Sequence, residues 1–206
     1  MSRLEAKEIA RTLGDGVDRA AAEAARRFAA RAERERLVDV AYTEFDSPLG
    51  TGRIAATERG VVSIGLPNFA EPEFLEQLGR ISPRILELPA RLDGALRELD
   101  QYFEGQRHEF GLELDWGLVR PGFMSRVLHA TAKLPYGATA SYGEVAAEAG
   151  NPRAYRAAGT ALGHNPIPIV VPCHRVLRAG GALGDYGGGP EMKAFLLRLE
   201  GALGEG

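Results

Sequence analysis

The hydrophobic rhythm of the chain changes three times. Over residues 4–36 alanine, arginine and glutamate dominate; Val17, Ala21, Ala24 and Phe28 follow helical spacing, and Gly14 and Gly16 break the run. This predicts an N-terminal helical extension over residues 1–36, patterned like a solvated helix. From Val38 the residues alternate and β-branching increases. VDVAYTEF, GRIAAT and VVSIGL are separated by the turn sequences DSPLG and ERG, which predicts a small antiparallel sheet. Residues 71–82 and 90–104 return to helical spacing, the second stretch through Leu92, Leu96, Leu99, Tyr102 and Phe103. HEFGLELDW reads as one more strand or an extended connector.

From about Gly117 short helices with legible ends take over. Residues 123–134 read as a helix that stops before Pro135, and the turn PYGAT follows. Ser141 and Glu144 have the spacing of a capping box at the start of SYGEVAAEAG, which Gly150 should end. Asn151 is expected to cap the next helix, with Pro152 at its first position and RAYRAAGTALG running to Gly163. Two short helices joined by a Gly-Asn-Pro corner have the outline of a helix-turn-helix, whose second helix usually meets DNA. The expected fold class is therefore α+β. A small N-terminal α/β domain with an antiparallel sheet (37–116) precedes a mostly helical C-terminal domain containing a helix-turn-helix (117–206).

Composition changes this picture in two ways. The apolar content of 45% over 206 residues suits a globular chain, and no continuous apolar run opens it. Neither a signal peptide nor a membrane span is expected, and the cytoplasm is the default location. The net charge of −3 hides an asymmetry: residues 1–36 carry +2, residues 37–116 carry −8 and residues 117–206 carry +3. An anionic partner would be met by the C-terminal third and repelled by the middle.

There is one cysteine, so no internal disulfide or cysteine-rich zinc site can form. Cys173 is either a buried filler or a reactive thiol. It follows the apolar run IPIVV, whose prolines Pro166 and Pro168 forbid helix, so a buried extended segment is expected to deliver it to a fixed place. Pro172 precedes it, His174 and Arg175 follow, and the added positive charge favours thiolate over thiol. A thiolate beside a histidine needs a third, orienting group, and Glu200, near the end of PEMKAFLLRLEG, is the candidate carboxylate.

The stretch NPRAYRAAGTALGHNPIPIVVPCHRV, with SYGEVA before it and GDYGGG after it, resembles the active-site region of the O6-alkylguanine-DNA alkyltransferases. The resemblance is strong over roughly residues 117–201, faint over 38–116 and absent from 1–36. It implies DNA repair by stoichiometric, irreversible transfer of an alkyl group from O6-alkylguanine to Cys173. By the same resemblance His174 is the base acting through a bound water, Glu200 orients it, Asn165 supports the bend around the site and Tyr142 donates to the departing guanine. Arg156 takes the place of the extruded base, with Arg153, Ala157, Gly159, Ser141 and Tyr142 also meeting double-stranded DNA in its minor groove. Tyr186, Gly187, Val176 and Pro168 line the substrate pocket. Gly187, Gly188 and Gly189 leave its wall without side chains, so groups larger than methyl are expected to fit. The resemblance implies a monomer with no cofactor and no metal, since the zinc-binding cysteines of some relatives are missing. Leu128 stands where many relatives have tryptophan.

Two other classes share these residues. A non-catalytic sensor of alkylated DNA has another residue at the cysteine position, which Cys173 opposes. A cysteine hydrolase built on Cys173, His174 and Glu200 needs its histidine against the sulfur, and neighbours in an extended segment point to opposite sides.

Overall fold

The computed structural model describes residues 21–204 apart from 22 and 26; most of the predicted N-terminal extension, residues 1–20, lies outside the described residues. Residues 1–39 and 40–206 are two separate compact units. In the first, residues 27–34 are helical, and the i,i+4 pair Arg31–Glu35 closes at 2.8 Å on an exposed face.

The second unit begins with a four-stranded sheet. Its strands are β1 (Val40–Phe45), β2 (Gly52–Thr57), β3 (Gly60–Gly65) and β4 (Ile85–Glu87), in the order β3-β2-β1-β4. The first three pair antiparallel, but β4 pairs parallel to β1, with Val40 opposite Ile85, so the predicted antiparallel sheet is a mixed one. The parallel edge exists because helix α1 (Glu71–Gly79) carries the chain back across the sheet before β4. HEFGLELDW is the connector: its backbone forms one isolated bridge to the sheet, Val61 with Leu114, and its Asp115 carboxylate accepts from the Thr57 hydroxyl of β2 at 2.6 Å.

Both faces of the sheet are covered, by strand alternation that is interrupted where the β2–β3 register shifts between Ala55 and Ala56 and brings Val61 and Ile64 to the same face. Val40, Ala55 and Val62 pack with Phe74 and Leu78 of α1. Ile54, Ala56, Val61 and Ile64 point the other way, into the main core. Helix α2 (Pro89–Phe103) presents Leu92, Ala95, Leu99 and Tyr102, one turn apart on one buried stripe, to that main core.

The helical part shares this core. It comprises α3 (Phe123–Ala132), α4 (Tyr142–Glu148), α5 (Tyr155–Gly163) and α6 (Gly189–Leu199). The Ser141 capping box is present: Ser141 Oγ accepts from Glu144 N–H at 3.2 Å, and Glu144 Oε2 accepts from Ser141 N–H at 2.7 Å. Gly150 ends α4 with φ +86°. The next helix departs from expectation. Asn151 does not cap it with its side chain; its carbonyl closes a turn with Ala154 N–H at 3.0 Å, and α5 begins only at Tyr155. Arg153 therefore lies in that turn and does not share a helix face with Arg156. Leu128 is fully buried. Among the described residues, no helix is long and apolar enough to cross a membrane.

Candidate functional site

The segment leading to the cysteine is buried, as its apolar run predicts, but it is a compact turn and not an extended strand. Ile169 adopts φ +75°, a left-handed conformation that a β-branched residue rarely takes and that costs about 1–3 kcal/mol. Asn165 holds this turn in shape. Its Oδ1 accepts from Ile167 N–H at 3.0 Å, and its Nδ2 donates to the Val171 carbonyl at 2.8 Å and to Cys173 Sγ at 3.2 Å. The sheet braces the turn from outside, through Ile64 N–H donating to the Pro166 carbonyl at 2.8 Å.

Cys173 opens a 3-10 turn, Cys173–Arg175, with three residues per revolution. Three successive side chains consequently leave in three directions, which replaces the opposite-sides geometry of an extended strand. His174 and Arg175 both turn toward Glu200. His174 Nε2 lies 2.9 Å from Glu200 Oε1, and Arg175 forks onto the carboxylate at 2.8 and 2.9 Å. Tyr102 adds its hydroxyl at 2.7 Å and Gly137 its N–H at 3.3 Å. Gly137 sits at φ +73° in the PYGAT turn, where a Cβ would come within 2.9 Å of the Glu200 carbonyl. Burial alone would raise the Glu200 carboxyl, but the hydrogen bonds from His174 and Arg175 outweigh it and hold the group well below the usual carboxylate range. Burial keeps His174 neutral to lower pH than an ordinary histidine, against the pull of Glu200. Its Nδ1 is buried and, among the described residues, has no hydrogen-bond partner.

The expectation that Arg175 favours the thiolate is corrected here, because that guanidinium is committed to Glu200. Cys173 is 8% exposed, and burial pushes its thiol up; the Asn165 hydrogen bond and the nearby Lys193 pull the other way. Lys193 is a residue the sequence reading missed. It is buried, donates from Nζ to the Val176 carbonyl at 2.6 Å, and burial brings it down to about 8. Tyr102 was read only as a helical core position.

Cys173 lies in the wall between two cavities. One, of about 940 Å³, also has Ser141, Tyr142, Arg156 and Gly159 in its lining. The other, of about 720 Å³, has Pro168, Ala157 and Asn165, and Tyr186 and Gly187 line both. Both are within the usual range of about 300–1,000 Å³ for small-molecule sites. The structure corrects two members of the predicted pocket. Val176 is fully buried and lines neither cavity, because its strand (Val176–Leu177) pairs with Ala140–Ser141. Gly188 does not leave the wall open: a Cβ there would meet Met192 Sδ at 2.5 Å and Tyr186 at 2.9 Å, whereas one at Gly187 meets nothing. Asn68 fixes the Gly187 carbonyl at 2.8 Å. The strand pair also seats Tyr142, directly after Ser141, beside the segment that follows the cysteine. Burial and Asp185 keep the Tyr142 hydroxyl protonated beyond its normal range. Arg153 and Arg156 are both exposed. Among the described residues, no cluster of histidine, cysteine and carboxylate side chains could hold a metal ion.

Residues 122–202 match the family described as 6-O-methylguanine DNA methyltransferase, DNA binding domain, and residues 40–116 match 6-O-methylguanine DNA methyltransferase, ribonuclease-like domain. The chain is 52% identical over 114 residues to the methylated-DNA-protein-cysteine methyltransferase of Mycolicibacterium paratuberculosis, covering 55% of this chain and 68% of that protein. It is 37% identical over 161 residues to the protein of the same name from Methanosarcina acetivorans, covering 78% of this chain and 98% of the relative. Among solved structures it is similar to Mycobacterium tuberculosis OGT in complex with DNA, with a TM-score of 0.67 and 40% identity over 78% of this chain and 92% of that one.

Proposed function

The chain belongs to the 6-O-methylguanine DNA methyltransferase family, and from that premise we propose that it repairs O6-alkylguanine in DNA by taking the alkyl group onto Cys173, once and irreversibly. The observation that carries this reading is the position of Cys173 in the lining of a cavity that Tyr142 and Arg156 also line, next in the chain to His174, which is buried and paired with Glu200.

The sulfur attacks the alkyl carbon, a carbon–sulfur bond forms, and the bond to guanine O6 breaks with its electron pair leaving on the base. A buried thiol whose proton is held tightly needs a base. His174 Nδ1, the ring nitrogen that Glu200 leaves free, takes that proton through a bound water. Tyr142 supplies the departing guanine with the hydroxyl donor that its burial keeps protonated. Asn165 supports the turn. The product is a thioether with no hydrolytic route back to thiolate, so the protein is consumed.

A base stacked in a duplex cannot reach Cys173 and is rotated out, at a cost of about a few kcal/mol, with Arg156 occupying the space it leaves. Helix α5 enters the minor groove, where Ala157 and Gly159 permit close approach, Ser141 and Arg153 add contacts and sequence preference is slight. Tyr186, Gly187 and Pro168 receive the alkyl group, with room for groups larger than methyl. The protein acts as a monomer in the cytoplasm, and its chain divides into an extension (1–36), an α/β domain (37–116) and a DNA-binding alkyltransferase domain (117–206).

A sensor of damaged DNA is disfavoured by the presence of the thiol. A hydrolase is disfavoured because the hydrogen bond to Sγ comes from Asn165 and not from His174. Incubation with a duplex carrying O6-methylguanine, followed by weighing of the intact chain, separates transfer from both alternatives. Transfer adds one methyl group to the protein; a sensor or a hydrolase leaves its mass unchanged.

A further inference from the structure

Among the described residues of the unit 40–206, Tyr155 is the one large apolar side chain left exposed, at 48%. It is the first residue of α5, immediately before Arg156. The residues after Arg156 are Ala157, Ala158 and Gly159, so the helix offers the ring nothing larger to pack on. What the ring does meet is the guanidinium of Arg156, whose central carbon lies 5.5 Å from the ring centroid. Both side chains line the cavity that contains Cys173. Arg156 is itself exposed; its carbonyl accepts from the Thr160 hydroxyl, but among the described residues its guanidinium makes no ion pair or hydrogen bond. A free arginine side chain loses substantial rotamer entropy when it is fixed in one place.

Resting on the functional reading above, we propose that Tyr155 is a positioning residue for base extrusion: its ring face holds the Arg156 guanidinium at the cavity mouth, so part of the ordering needed for insertion into the duplex is complete before DNA arrives. A planar guanidinium on an aromatic face is a pre-organised wedge, and the benefit applies only to a substrate with a stack to fill. An exposed pair of this kind is worth about 0.5–1 kcal/mol, which corresponds to about two- to fivefold in rate.

The test is a double-substitution cycle in the full chain, read as single-turnover rate constants with duplex O6-methylguanine and with free O6-benzylguanine. Tyr155→Ala lowers the ratio of the duplex to the free-base rate constant about two- to fivefold, Tyr155→Phe preserves it, and Tyr155→Ala lowers it no further in an Arg156→Ala background. An equal further fall in that background would mean that the ring touches DNA on its own account and would overturn the proposal. So would an unchanged ratio, or a Tyr155→Phe defect matching that of Tyr155→Ala, which would assign the effect to the hydroxyl. Absence of transfer from both substrates in the unsubstituted chain is a separate result, which overturns the functional reading and this proposal with it.

Discussion

Asn165 holds Cys173 with the same amide nitrogen that holds its loop: Nδ2 donates to Sγ at 3.2 Å and to the Val171 carbonyl at 2.8 Å. The residue that shapes the turn thus also favours the anionic form of the sulfur, against the burial that opposes it. Asn165→Ala removes both contacts. A hydrogen bond to a charged group is worth about 1.5–3 kcal/mol, so transfer from O6-benzylguanine at neutral pH slows about ten- to hundredfold. The pH profile of the reaction also moves to higher pH. A profile that stays in place would show that the amide serves the loop alone.

Glu200 gathers donors from His174, Arg175, Tyr102 and Gly137 in a buried site. Removing its charge strands the Arg175 guanidinium, so Glu200→Gln costs about 3–5 kcal/mol of stability. Tyr102→Phe, which deletes one charge-assisted hydrogen bond, costs about 1.5–3 kcal/mol. Urea unfolding of both variants measures this, and a loss for Glu200→Gln under 1 kcal/mol contradicts the network described here.

His174 and Glu200 also set an acid limit. Both have folded values below their ordinary 6.5 and 4.5, His174 through burial and Glu200 because its hydrogen bonds outweigh burial. Between folded and ordinary values the unfolded chain binds more protons, so each contribution is present above the ordinary value and is lost as pH falls below it. Stability therefore begins to fall below about pH 6.5 and falls more steeply below about pH 4.5. Lys193, brought down to about 8 from 10.5, adds stability as pH rises between those values. Urea midpoints from pH 4 to pH 10 check the three windows. A midpoint that stays constant from pH 6.5 down to pH 4.5 excludes the histidine contribution.

How far the sequence carried depended on chain distance. The Ser141–Glu144 box and the Gly150 stop are local chemistry and stand where the residues place them. The pairing of His174 with Glu200, nominated from the residue types and implied again by the resemblance, is a 2.9 Å contact in the fold. Tyr102 reaching Glu200 across 98 positions has no signal in either stretch, because a tyrosine on an apolar helix stripe reads as core. The parallel edge β4 is three residues long, too short to carry a period. Ile169 and Asn151 depart from the sequence expectation for a related reason: the tertiary clamp of Asn165 overrides the extended preference of a proline-rich run, and a backbone turn takes the place of a side-chain cap.

Arg156 and Arg153 separate extrusion from plain affinity. Arg156→Ala slows repair of duplex DNA severely while reaction of free O6-benzylguanine falls far less, since the free base has no stack to leave. Arg153→Ala, in the turn before α5, weakens binding broadly and lowers its salt dependence by about one unit of slope. Equal losses on both substrates for Arg156→Ala assign that residue to the pocket or the fold instead.

In the proposed reaction Cys173 is consumed in one transfer. A fixed amount of protein is titrated with excess duplex carrying labelled O6-methylguanine, product is followed to its plateau, and the protein is then digested and its peptides weighed. The plateau is expected at one methyl group per chain, all of it on the peptide containing Cys173, with no transfer by Cys173→Ser although that variant still binds the duplex. Product that keeps accumulating beyond the protein supplied, or a methyl group on any other residue, would contradict it.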